Sequence, residues 1–197
     1  GVLRVELEAP SGFSYRAGQF VQLERPGGIS RPFSLASIPG SERLELHAAV
    51  RRGGAMSEWL ETATGQALRL RGPFGECFYF DDELERPLLL AGTGTGLAPL
   101  LGITRAALTA RHRAPIHLYH GSTELAGLYL WRELAALAEQ SPELRVFGSV
   151  LSGDVSAAIA TPRCQVLSES LDRLILNDPL DFARCRVYLC GGPEVVQ

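Results

Sequence analysis

No apolar run in this chain approaches the roughly 18 residues that a membrane-spanning helix needs, and no signal peptide is visible at its start. Cysteine is scarce. Cys77, Cys164, Cys185 and Cys190 have neither CxxC nor iron–sulfur spacing, so no cluster is expected within these residues. Disulfides stay open, but a reducing cytoplasm is the simpler reading. Histidine is sparse as well: His47, His112, His117 and His120 are scattered. His117 and His120 are three apart on an expected strand, so they point to opposite faces and make no metal site. With 19 basic against 22 acidic residues the net charge is −3, and nothing asks for nucleic acid or an anionic membrane. The central glycine-rich stretch also lacks two familiar endings. Leu97 and Pro99 stand where G-x-G-x-x-G would need its third glycine, and no Gly-Lys-Ser/Thr follows to make a P-loop.

That stretch is nonetheless the most informative part of the chain. It runs LLLAGTGTGLAPLLGI from Leu88 to Ile103. Leu88–Ala91 has the continuous apolar character of a buried parallel strand. Gly92, Gly94 and Gly96 follow, with Thr93 and Thr95 between them, and then a helix with Pro99 in its first turn, where a missing N–H costs nothing. Strand, glycine turn and helix N-terminus together form a site for phosphate, because the free N–H groups and the helix dipole favour an anion. A nucleotide ligand is therefore expected.

The chain has 197 residues, 46% of them hydrophobic, which permits a real core in one large or two small domains. Its first half alternates. Leu3, Val5 and Leu7 interleave with charged residues, and Leu44, Leu46, Ala48 and Val50 interleave with Glu45, His47 and Arg51. Period two predicts strands with one wet face. Turn signals at Pro10-Ser11-Gly12, Pro26-Gly27-Gly28, Pro39-Gly40, Gly53-Gly54 and Gly72-Pro73 separate them, which predicts a small antiparallel β-barrel. The second half changes period. Strands are expected at Leu88–Ala91, Ile116–His120, Leu144–Leu151 and Arg186–Cys190. Helices are expected at Leu97–Ala110, Leu128–Glu139 and Glu169–Leu176, with a short one earlier at Glu58–Thr62. Alternation of this kind predicts an α/β, Rossmann-like, doubly wound parallel sheet. The boundary falls in the charged segment Asp81–Pro87, giving domains 1–84 and 85–197. Ligands of such sheets sit at the carboxyl ends of the strands. Both chain ends look cut, so a longer protein is expected.

Four elements in order make the reading more specific: Arg31-Pro32-Phe33-Ser34-Leu35-Ala36-Ser37, Gly72-Pro73-Phe74-Gly75, the glycine turn, and Cys190-Gly191-Gly192-Pro193. Together they resemble the ferredoxin–NADP reductase superfamily over essentially the whole chain. The chain looks most like the flavin reductase module of bacterial oxygenase electron-transfer components, of the phenol-hydroxylase-reductase kind. The resemblance implies an N-terminal FAD-binding barrel, with FAD favoured over FMN by family habit, and a C-terminal NAD(P)H-binding domain. It implies that Arg31, beside Pro32, holds the flavin pyrophosphate, for which a guanidinium fork is well suited. Phe33 would lie against the flavin ring where most relatives carry Tyr, and the missing hydroxyl costs about 1 kcal/mol of flavin binding. Ser34 would bond flavin N5. Gly54, Ala55, Met56 and Ser57 would give N–H groups and a hydroxyl to the flavin phosphates, and Ser57 would also suit a plain N-cap. Gly94, Thr95 and Gly96 would meet the nicotinamide nucleotide. Cys190, with Gly191 and Pro193, would sit beside the nicotinamide–flavin contact, where a small soft side chain leaves room for stacking. Cys77, Cys164 and Cys185 are read as ordinary buried thiols.

Relatives that use NADP often place Ser then Arg after the second strand of this domain. Here the residues are Ser122-Thr123-Glu124. Glu124 would repel a 2′-phosphate and accept a bond from a ribose 2′-OH, so NADH is favoured, while Ser122 keeps NADPH open. The resemblance implies hydride transfer from NAD(P)H to flavin and single-electron delivery to a ferredoxin-like or oxygenase acceptor. Any [2Fe-2S] cluster would lie outside these residues. The alternative is a flavin-binding electron-transfer subunit with no NAD(P)H activity of its own.

Overall fold

The computed structural model describes residues 1–50 and 52–192. In the first half, β1 (Val2–Glu8) pairs antiparallel with β4 (Arg43–Ala49), from Val2 opposite Ala49 to Glu8 opposite Arg43. A second sheet places β2 (Phe20–Glu24) between β3 (Ser30–Ser34) and β5 (Arg69–Phe74), all antiparallel. A single bridge from Leu35 to Leu46 joins the two sheets. Between them lies a core of Tyr15, Val21, Leu23, Leu35, Leu44 and Leu46. The expected alternation produces this core: Val21 and Leu23 turn inward while Gln22 and Glu24 are only half-buried. A short helix, α1 (Ala55–Leu60), comes before β5 and starts three residues earlier than expected.

The second half is a five-stranded parallel sheet. Its strands are β6 (Leu88–Thr93), β7 (Ile116–Ser122), β8 (Leu144–Val150), β9 (Cys164–Leu167) and β10 (Arg186–Cys190). Their spatial order is β10-β6-β7-β8-β9. The chain thus builds outward from β6 in one direction and returns to its other side with β10. The switch point lies between β6 and β10. Helices α2 (Leu97–Thr109) and α3 (Trp131–Gln140) cover one face, packing on Leu88, Leu90, Ile116 and Leu118. Helix α4 (Leu171–Leu176) covers the other, packing on Leu89, Ala91 and Tyr119. Burial on both faces is why the β6 sequence is a continuous apolar run.

Further expectations change. The helix expected from Leu128 starts at Trp131. Leu128 is instead pressed against Gly148, where a Cβ would come within 2.7 Å of its Cδ1, and the chain then turns through Leu130 at φ 59. The helix expected from Glu169 starts at Leu171. Strand β9 was not expected at all: it is a four-residue edge strand with no periodic signal.

The most consequential change is on β4. Glu45 and His47, read as a wet face, are 8% and 4% exposed because the second half covers them. Arg105 of α2 reaches the Glu45 carboxylate at 2.9 Å and the Ala36 carbonyl at 2.9 Å. Arg4 of β1 adds a bond to Glu45 at 3.0 Å and one to Glu133 of α3 at 3.1 Å. His47 Nε2–H donates to Glu45 at 2.9 Å, which leaves Nδ1 to accept from the Tyr129 hydroxyl at 2.9 Å. Burial pushes the Glu45 carboxyl up, but the His47 bond and the two guanidinium groups more than offset this and hold it at about 2. Beside this cluster the Leu35 carbonyl lies against Gly102 of α2, where a Cβ would stand 2.6 Å from the oxygen.

The packing of the two halves makes acid stability legible. Burial drives His120, on β7, down to about 4 from its ordinary 6.5. The unfolded chain therefore takes up that proton first, and stability falls as pH drops from 6.5 to 4. Burial lowers His112 too, which acts in the same direction. The Glu45 contribution is complete above 4.5 and is lost between 4.5 and 2. Urea unfolding followed against pH should show these two successive declines. His120→Leu should flatten the upper one by up to about 3 kcal/mol and leave the lower one. An unchanged upper decline in that variant would dissociate His120 from it.

Candidate active site

The expected site residues lie on four parts of the fold: the switch point, β3, α1 and the end of β7. Strand β6 ends at Thr93, Gly94–Gly96 form one 3₁₀ turn, and α2 begins at Leu97. The glycines of this turn divide their work. Gly92 and Gly96 pack on the end of β10: a Cβ on Gly92 would lie 2.4 Å from the Cys190 carbonyl oxygen, and one on Gly96 would lie 2.2 Å from it. Neither position admits a side chain. Gly94 is different, since its φ is +52 and nothing lies within 4 Å of where its Cβ would be. Its backbone is the open one at this helix start. The turn therefore brings Gly94, Thr95 and Gly96 together with Cys190 and Gly191. Pro193 lies outside the described residues.

Cys190 is half-buried at the end of β10, paired with Gly92. Its thiol neighbours that of Cys77, and their interaction lowers Cys77 to about 7 and raises Cys190. Cys77 is therefore not the core thiol that the sequence suggested: it is exposed, in the loop after β5. Cys164 and Cys185 are buried as expected.

On β3, Arg31 and Pro32 are exposed, while Phe33 and Ser34 are half-buried. The Arg31 guanidinium donates to the Ser30 carbonyl at 2.7 Å and has no acidic partner among the described residues. Phe33 packs its ring on the barrel core. Ser34 stands opposite Phe20, whose ring is 5.7 Å from that of Phe74 in the Gly72–Gly75 segment. On α1, Ala55 is exposed and Met56 and Ser57 are buried. The Gly53 N–H already donates to the Glu58 carboxylate at 2.8 Å, and the Ser57 hydroxyl donates to the Gly54 carbonyl at 2.9 Å.

A groove of about 1060 Å³ opens on the α4 side of the sheet. Thr93, Gly94, Ser122 and Thr123 form its polar edge, and Leu171 and Leu189 contribute to its apolar wall. The loop after β7 is tied down, as Leu151 N–H donates to the Ser122 carbonyl and Ser152 N–H to the Thr123 carbonyl. Glu124 is exposed beside it. On the opposite face of β7, His120 is fully buried edge-on to Tyr129, with ring centroids 5.4 Å apart. The Gly94 carbonyl lies near that ring, yet among the described residues neither ring nitrogen has a hydrogen bond of normal geometry. Sequence reasoning assigned no role to Cys77, His120 or α4. Only the position of Cys77, two residues past the Gly72–Gly75 motif, could have drawn attention to it.

Comparison with known proteins places this geometry. Residues 90–197 match the oxidoreductase NAD-binding domain, and residues 1–79 match the oxidoreductase FAD-binding domain. The chain is 32% identical over 197 residues to the ferredoxin–NAD(P)+ reductase component of the naphthalene 1,2-dioxygenase system of Pseudomonas putida, covering 99% of this chain and 57% of that protein. It is 38% identical over 163 residues to the reductase subunit of an aromatic O-demethylase from Amycolatopsis, covering 79% of this chain and 48% of that one. It thus spans about half the length of the curated relatives it matches. Among solved structures, the Amycolatopsis cytochrome P450 reductase GcoB superposes with a TM-score of 0.78 at 32% identity, covering 98% of this chain and 58% of that one. A ferredoxin–NADP+ reductase from Neisseria gonorrhoeae, solved with bound FAD and NADP, shares the fold with a TM-score of 0.77 at 23% identity, over 98% and 80% of the two chains. The chain belongs to the oxidoreductase family that joins this FAD-binding domain to this NAD-binding domain, on a ferredoxin–NADP reductase-type fold.

Proposed function

We propose that these residues are the flavin and nicotinamide-nucleotide module of a reductase that takes hydride from NAD(P)H onto bound FAD and passes single electrons to an iron–sulfur or other acceptor of an oxygenase system. Residues 1–84 serve the flavin and residues 85–197 the nucleotide. The observation that carries this reading is the clamp at the switch point. Gly92 and Gly96 hold the Cys190 carbonyl, which leaves Gly94 open at a helix start and beside a large groove. Relatives with the same two domains are reductase components of dioxygenase and demethylase systems. None of the helices among the described residues is long and apolar enough to cross a membrane, and we assign the protein to the cytoplasm.

The residues present fit both groups. Gly94 offers backbone that no side chain crowds, and Arg31 offers a guanidinium with no competing carboxylate among the described residues. Bound flavin supplies the hydride acceptor and the step from two electrons to one. This chain supplies placement. Arg31, next to Pro32, binds pyrophosphate; Phe33 lines the flavin ring; Ser34 presents its hydroxyl to N5. A phosphate at Gly54, Ala55, Met56 and Ser57 has to displace the Glu58 carboxylate from the Gly53 N–H. Gly94, Thr95 and Gly96 orient the nicotinamide nucleotide, and Cys190 with Gly191 leaves room for ring stacking. Pro193 is assigned to the same contact. Ser122 and Thr123 edge the ribose site. Glu124 accepts from a 2′-hydroxyl and repels a 2′-phosphate, which favours NADH.

An anaerobic absorbance titration with NADH and then NADPH tests the reading: the flavin band should bleach, and with less NADH than NADPH. A flavin-loaded protein that neither nucleotide bleaches would favour an electron-transfer subunit without its own NAD(P)H activity. Arg31→Ala should weaken FAD retention about 10- to 100-fold, read as flavin fluorescence released on dilution. Unchanged retention would remove Arg31 from the pyrophosphate site. Thr123→Arg should raise the ratio of kcat/KM for NADPH over NADH about tenfold, and a constant ratio would mean that the ribose site lies elsewhere.

A further inference from the structure

We propose that Cys77 and Cys190 form an oxidisable pair, which a peroxide converts to a disulfide that staples the flavin half to the nucleotide half. The two thiols are neighbours across the cleft, brought together where β10 meets the segment around Phe78. Both backbones are held in place to make that contact. Tyr188 and Cys190 project from the same face of β10, two residues apart. Tyr188 reaches the Phe78 carbonyl at 3.0 Å while Cys190 meets the neighbouring Cys77. The Cys77 carbonyl rests on Gly18, where a Cβ would come within 2.4 Å of it, and the Tyr79 N–H donates to Ala17 at 2.9 Å. On the other side, Gly92 and Gly96 clamp the Cys190 carbonyl. Both chain segments are thus fixed by glycine contacts that have no slack.

The pair also has the asymmetry that oxidation needs. Cys77 is exposed and Cys190 half-buried. The neighbouring Cys190 favours a thiolate on the accessible sulfur, the nucleophilic form. That thiolate attacks one oxygen of hydrogen peroxide. The O–O bond breaks, water leaves after taking up a proton, and Cys77 becomes a sulfenic acid. The Cys190 sulfur then attacks the Cys77 sulfur, its proton leaves with the hydroxyl as a second water, and an S–S bond of about 2 Å forms. Two thiols have lost two electrons and one peroxide has gained them. Cys164 cannot compete: it is buried, and burial raises its thiol to about 12. Cys185 is buried and raised as well.

The consequence rests on the function proposed above. With its sulfur tied to Cys77, Cys190 no longer leaves space for a nicotinamide ring, so the bridged protein should lose hydride uptake until it is reduced.

The test treats FAD-loaded protein with hydrogen peroxide, then measures intact mass, free thiols under denaturing conditions and a non-reducing peptide map. The expected result is a loss of two hydrogens in mass, a drop from four thiols to two, and a linked peptide pair carrying Cys77 and Cys190. Dithiothreitol should reverse all three. Cys77→Ser, at an exposed site, should keep its basal NADH-driven flavin reduction and form no link. Four surviving thiols, a mass gain of oxygen without a link, or a link through Cys164 or Cys185 would overturn the inference. A Cys77–Cys190 link that left hydride uptake at full rate would uphold the pair and instead overturn the placement of Cys190 at the nicotinamide.

Discussion

A buried carboxylate joins the two halves of this protein. Glu45 stands on a barrel strand under the helices of the parallel sheet, and Arg105, Arg4 and His47 converge on it from α2, β1 and β4. An isolated charge at that depth would cost several kcal/mol, so the arrangement is stable only with its partners in place. Their reach then sets the separation of β4 and α2. That separation lets the Leu35 carbonyl settle on Gly102, one residue past the end of the Ser30–Ser34 strand. The start of the same helix carries the glycine turn. One electrostatic cluster thereby relates the strand proposed to hold flavin to the turn proposed to meet the nucleotide.

The turn depends on steric exclusion rather than on charge. Its glycines look equivalent as residues, yet two of them exist to let β10 close on β6, and only Gly94 leaves backbone uncovered. The contact that denies Gly92 and Gly96 a side chain also fixes Cys190, which then meets Cys77 from the other half. Packing of the sheet and placement of a reactive side chain are the same event here. The pair of thiols is a product of that packing.

Much of the fold was legible because two hydrophobic periods are written without ambiguity. Alternation along Leu44, Leu46 and Ala48 specified a strand, and the unbroken run at Leu88–Leu90 specified one buried on both faces. The Arg31–Ser37 and Gly94–Gly96 motifs marked the candidate site, since residue types and spacing alone carry them. Other features left no local signal. Glu45 between apolar neighbours is the ordinary pattern of a solvated face, and only a covering helix makes it a buried charge. Leu128 is a good helix former, but contact with Gly148 holds it outside the helix. Strand β9 has four residues and gains its identity from the edge of a sheet that already exists.

The sequence by itself determined the two architectures, their order and the glycine turn with its helix start. Each follows from interactions between residues close together in the chain: period, turn chemistry and backbone freedom. Only the tertiary structure decided which glycines touch protein and which stay open, that Glu45 is a buried hub, and that Cys77 lies against Cys190. Those outcomes depend on contacts between residues far apart in the chain, such as Cys77 with Cys190 and Glu45 with Arg105. Such contacts exist only once the two halves have packed together, and no local pattern encodes the distance between them.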